Sequence, residues 1–123
     1  MTTPSSSAPP LTTFSWLRSF MDRCKLEKNG SNFADWDRQL HLAAEGDDKL
    51  RLLTKRSPLT PNASSSNAVR EAYEAYQKES AAIKNVLIFS MEADLQRSAI
   101  NMSTAYEIYT KLVIMFSQAP RIL

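Results

Sequence analysis

The side chains that could carry chemistry are few, and their spacing argues against a reaction. His41 is the only histidine and Cys24 the only cysteine. A nucleophile and a base would have to come from this pair, and nothing in the spacing brings them together. His41 sits beside Leu40 and Leu42 and reads as a helix-boundary residue; Cys24 reads as a small, partly buried apolar one. Glu45, Asp47 and Asp48 crowd three carboxylates together but lack the alternating ligand spacing of a calcium loop, so they read as a solvated helix junction. No GxxxxGK[ST], HExxH, Asp-Thr-Gly or Asp-Ser-Gly occurs. One cysteine makes neither an internal disulfide nor a Cys-based zinc site. The sequence therefore predicts no enzyme, no cofactor, no metal and no small-molecule substrate.

The elements that would position these residues are helical. The 123 residues suit one domain, and 43% apolar against 23% charged is a globular balance. Residues 1–13 are Ser/Thr/Pro-rich and read as a disordered tail, because they cannot bury enough surface to offset the entropy of ordering. They also lack the apolar core of a secretory signal, so the three Asn-x-Ser matches at Asn29, Asn62 and Asn101 carry no weight. No apolar run approaches the roughly 20 residues of a membrane span. Residues 14–24 place Phe14, Leu17 and Met21 on one helical face, with Trp16 and Phe20 beside them. After the turn Lys28-Asn29-Gly30-Ser31, with Ser31 or Asn32 as cap, Phe33, Trp36, Leu40, Ala43 and Ala44 make the next apolar stripe. Asp47 can restart a turn carrying Leu50 and Leu53.

Residues 57–67 form a proline- and serine-rich linker, read as mobile. The longest pattern, 68–91, puts Val69, Tyr73, Tyr76, Ile83 and Leu87 on one face, and Val86-Leu87-Ile88-Phe89 implies burial all round. Residues 92–100 follow as a short helix with Leu95 and Ala99 inward. Thr104-x-x-Glu107 is a capping box opening a last helix with the stripe Ala105, Ile108, Leu112, Met115 and Phe116. The fold class is all-α: a compact bundle of five or six short helices over 14–118, with 119–123 as the end. Phe33, Trp36, Leu40, Ile83, Leu87, Leu112 and Phe116 are the expected core.

Charge is nearly balanced. Residues 1–56 hold nine Lys/Arg against seven Asp/Glu, and 57–123 hold six of each. A surplus of two is far below the basic stripe of a dedicated nucleic-acid binder. Arg23, Lys25 and Lys28 form the best patch for a weak RNA contact, diluted by Asp22 and Glu27. Trp16, Trp36, Tyr73 and Tyr76 are candidate base-stacking residues, although Trp36 lies in an apolar stripe and reads as core.

One stretch is more specific than composition. Residues 25–40, KLEKNGSNFADWDRQL, resemble the Leu-x-Gly-x-Asn-Phe/Tyr-x-x-Trp-x-x-x-Leu opening of Gag polyproteins from copia-type LTR retrotransposons, with the Leu displaced by one or two residues. Further segments resemble that family in the same order: EGDDKLRLL at 45–53, Ala75-Tyr76-Gln77-Lys78, Ser90-Met91 with Leu95-Gln96, and Lys111-Leu112-Val113-Ile114-Met115-Phe116. The family's second tryptophan is replaced by Glu79 or a neighbour, and the cysteines of its zinc knuckle are absent. The resemblance, over about residues 24–118, implies a capsid-like helical domain that packs against copies of itself and encloses element RNA. It also implies a truncated or decayed element product. The expected partners are a second copy of the chain and, weakly, RNA, without a membrane. The expected compartment is the cytoplasm or nucleus. The alternative is a helical module that binds RNA or protein weakly without assembling.

Overall fold

The computed structural model describes residues 14–117; the expected tail at 1–13 and the end at 119–123 lie outside the described residues. Among the described residues, six helices carry the fold: α1 (Ser15–Arg23), α2 (Phe33–Gly46), α3 (Arg51–Thr54), α4 (Asn67–Phe89), α5 (Ala93–Ala99) and α6 (Ala105–Ser117). The all-α class is as the sequence predicts. Among the described residues, the only strand-like feature is an isolated parallel bridge between Leu26 and Met91.

The apolar stripes explain the packing. Helix α1 lies on α2 and α4, α3 is held between α4 and α6, and α5 closes against α4. Phe33, Trp36, Leu40, Ile83, Leu87 and Leu112 all fall in one buried core together with Leu17, Phe20, Leu53 and Ile108. Phe116 is half-buried at its edge, its ring 5.6 Å from that of Phe33. It also lies over Gly30, where a Cβ would stand 2.2 Å from the Phe116 ring. Gly30 has φ +74°, so the turn into α2 needs glycine for both its backbone and its neighbour.

Four expectations are corrected. Phe89 is 59% exposed although Val86, Leu87 and Ile88 are buried, because α4 ends there and its last residue emerges past the core. Met115 is exposed beyond the stripe set by Ile108 and Leu112. Val69 is exposed because α4 projects: from 67 to 79 none of its residues is fully buried, and burial starts at Ser80. Asn32 does not cap α2 with its side chain; Ser66 does cap α4, accepting from the Val69 amide at 3.2 Å. The second half of the 55–66 connection is tied down through Asn62, whose Oδ1 accepts the Ser64 amide at 2.8 Å and whose carbonyl accepts Arg70 Nη2 at 2.7 Å.

Leu87→Ala should lower unfolding free energy by about 2–5 kcal/mol, since a buried leucine leaves a cavity. Val69→Ala on the projecting half should stay within about 0.5 kcal/mol. Chemical denaturation followed by circular dichroism distinguishes the two.

Candidate functional site

The polar groups inside the apolar frame fall into three clusters and one surface patch. The first joins the start of α2 to the end of α4. Trp36 is 2% exposed, yet its indole Nε1 needs an acceptor. It donates to the Ser90 carbonyl at 3.1 Å and lies 3.3 Å from Ser90 Oγ. Ser90 is fully buried; its carbonyl also accepts the Leu26 amide at 2.7 Å, and the Leu26 carbonyl accepts the Glu92 amide at 3.0 Å. Asn32 completes the joint: its Oδ1 accepts the Glu27 amide at 2.9 Å and its Nδ2 donates to the Lys25 carbonyl at 2.8 Å. The strand-like segment at 25–27 is thus clamped from both sides, which is why Asn32 is not available as a cap.

The second cluster links α1, the α2–α3 junction and α4. Asp47, expected on a solvated junction, is buried instead. Its Oδ1 accepts the Trp16 amide at 3.2 Å and its Oδ2 the Leu17 amide at 2.8 Å, so it caps α1 from thirty residues away. A free helix N-terminus presents amides without partners, and a carboxylate there also suits the dipole. Asp48 then takes a positive φ of 59° to reverse the chain. Helical structure resumes only at Arg51, later than Asp47 suggested. Lys49 is also buried: its Nζ pairs with Glu79 at 2.5 Å and sits 5.3 Å from the centre of the Phe14 ring. Arg51 holds the other Glu79 oxygen at 2.7 Å.

The third cluster holds the lone histidine. Tyr109 on α6 donates its phenol to Asp37 Oδ1 at 2.6 Å, and His41 Nε2 lies 2.6 Å from the same phenol oxygen. With the phenol proton committed to Asp37, Nε2 must be the donor to that oxygen, which places the proton on Nε2 in the neutral ring. His41 is therefore a helix-boundary residue, as expected; its Nε2 also lies 3.4 Å from Asp37 one turn earlier on α2, whereas Tyr109 is a partner that no spacing indicated. Cys24 is half-buried and packs against the core. Burial, the hydrogen bond to Asp37 and the negative charge of that carboxylate all push the Tyr109 phenol above its ordinary range. Among the described residues, no group of three or more His, Cys, Asp and Glu side chains could hold a metal ion.

Of Arg23, Lys25 and Lys28, the first two line one surface depression and the last two another. Two of them are occupied: Lys25 Nζ donates to the Phe89 carbonyl at 2.7 Å, and Lys28 pairs with Asp94 at 3.5 Å. Among the described residues, Arg23 hydrogen-bonds only Ser19 Oγ, on its own helix, at 3.1 Å. Arg23, Lys25 and the exposed Phe89 line one shallow depression of about 330 Å³. Of the proposed stacking residues, Trp36 is core, Trp16 is exposed with its ring against Gly46, and Tyr73 and Tyr76 are half-buried on α4. No helix among the described residues is long and apolar enough to cross a membrane.

No family model, curated protein or solved structure matches this chain.

Two outcomes follow from these clusters. Glu79→Ala leaves the Lys49 ammonium buried without its carboxylate and should cost about 1–3 kcal/mol in denaturant unfolding. For Tyr109, a pKa raised in the folded state means its stabilising contribution is full below the free phenol's value of about 10 and is lost at higher pH. An ultraviolet alkaline titration should therefore contain one late-ionising step that is absent from Tyr109→Phe.

Proposed function

We propose that this chain is a capsid-like structural module of the copia-type Gag kind, which self-associates toward particle assembly and catalyses no reaction. One observation carries the reading: the residues that make up the resembling pattern meet at a single joint. Gly30 shapes the turn, Asn32 clamps the segment before it, Trp36 donates into Ser90, Met91 is fully buried beside them, and Phe116 covers Gly30. Residues distant in sequence thus form one physical unit, which supports reading the ordered segments together and not as separate coincidences.

Self-association also suits the surface. Ile100, Ile114 and Met115 are each more than two-fifths exposed around α5 and α6, and Met115 borders a crevice with Ala99 and Met102. On this reading the protein works in the cytoplasm, with the nucleus as the other compartment, and its partner is a second copy of itself. Sedimentation velocity over a hundredfold range of concentration should show the mean mass rising above 13.9 kDa, and Met115→Lys should reduce that rise. A strict monomer throughout overturns the proposal.

A second reading is supported by the grouping of Arg23 and Lys25 with the exposed Phe89 ring, a pairing of cations and an aromatic suited to a single RNA strand. It expects weak binding that falls as salt rises, because the contacts are to phosphates. Affinity unchanged between low and high salt would reject it.

A further inference from the structure

The connection between α3 and α4 contains Ser57-Pro58-Leu59-Thr60-Pro61, two hydroxyl residues three apart, each followed by proline. Proline biases the preceding residue to extended backbone. Residues 56–60 have no regular secondary structure and are all exposed, Leu59 at 91%. Both hydroxyls therefore sit on an accessible, extended stretch, the form in which a kinase takes a peptide into its cleft.

The two hydroxyls differ in what they face. Thr60 does not line the adjacent groove, although its Oγ1 lies 3.4 Å from the hydroxyl of Tyr73, which does. Ser57 lines that groove, a polar space of about 370 Å³ between α4 and the first turn of α6, together with Tyr76, Ser80, Ser103, Thr104 and Glu107. Ser80 is 3% exposed, and its Oγ has no hydrogen-bond partner among the described residues; the buried Tyr76 hydroxyl has none either. Orphaned buried hydroxyls call for a partner. The N-terminus of α6 adds a positive dipole end. Lys55 and Arg56 precede Ser57, are exposed, and enter none of the ion pairs among the described residues. Glu107 is the one charged side chain in the lining, and its Oε1 is already held by the Ser103 amide at 2.9 Å.

We propose that Ser57 is a phosphorylation site for a proline-directed kinase, and that its phosphate seats in the groove between α4 and α6. In the transfer, Ser57 Oγ bonds to the γ-phosphorus of a nucleoside triphosphate as the bond to the departing nucleoside diphosphate breaks. The hydroxyl proton passes to the kinase's base. The product carries a charge of about −1.5 to −2 and new acceptor oxygens. These meet the Ser80 and Tyr76 hydroxyls as donors and the Lys55 and Arg56 side chains as counter-charges. The modification thereby ties the first half of the connection to the body of the fold.

The test uses the full chain, a purified proline-directed kinase and ATP, with sites mapped by mass spectrometry. Thr3-Pro4 serves as an internal Thr-Pro comparison. Phosphate is expected on Ser57, absent from Ser57→Ala and slowed at least tenfold by Pro58→Ala. In the Thr60→Ala background, the modified chain should show shifted amide resonances at Ser80, Ser103 and Thr104, and Ser80→Ala should diminish the latter two shifts. No phosphate on Ser57, whether or not Thr3 is modified, overturns the proposal. So does a modified Ser57 that leaves those three amides unmoved.

Discussion

The fold depends on a buried indole finding an acceptor. Trp36 fills the centre of the core, in ring contact with Phe20 and Phe33, but its N–H could not remain there unpaired without a desolvation cost. The Ser90 carbonyl meets that need because α4 stops at Phe89 and exposes its last carbonyls to the interior. The same oxygen then accepts from Leu26, so one acceptor fixes three chain segments relative to one another. Moving the end of α4 by a residue would misplace Ser90 and release the 25–27 segment from its position. The joint therefore couples where a helix ends to how the whole bundle closes.

Charged side chains act as supplementary ties at places where the apolar stripes give out. Asp47 substitutes for a local cap on α1, whose own N-cap residue, Phe14, has no side chain able to serve. Glu79 collects Lys49 and Arg51 at the level where α4 enters the core. The Glu79 carboxylate and the buried Lys49 ammonium make attachment of α3 to α4 partly electrostatic. In a buried ion pair, desolvation offsets much of the attraction.

Helical periodicity made most of the fold legible, because residues on one face of a helix recur at a fixed interval and only one face can be buried. Phe33, Trp36 and Leu40 follow from that rule, as do Ile83, Leu87 and Leu112. The rule fails where a helix extends past its support: Val69, Phe89 and Met115 keep the spacing but have nothing to pack against. The capping box opening α6 was legible, since the Glu107 amide reaches Thr104 Oγ1 at 3.1 Å, although the returning carboxylate takes the Ser103 amide and not that of Thr104. Contacts between distant segments left no local signature. The capping role of Asp47, the bonds of Tyr109 to Asp37 and His41, and the Lys49–Glu79 pair each join residues at least thirty apart in sequence, and no spacing rule reaches them.

The uneven burial along α4 divides that helix into two regimes. Its last ten residues are secured by the core, whereas the thirteen before them depend on backbone hydrogen bonds, the Ser66 cap, the half-buried Tyr73 and Tyr76 and, at their end, the ion pairs of Glu79. Isolated helices of this length are marginal in water. The overhanging turns can thus unwind and re-form while the Trp36 joint stays intact, a local opening with its own low free energy. The molecule behaves as a firm body carrying a yielding arm, and whatever grips that arm would register as ordering of the helix without disturbance of the interior.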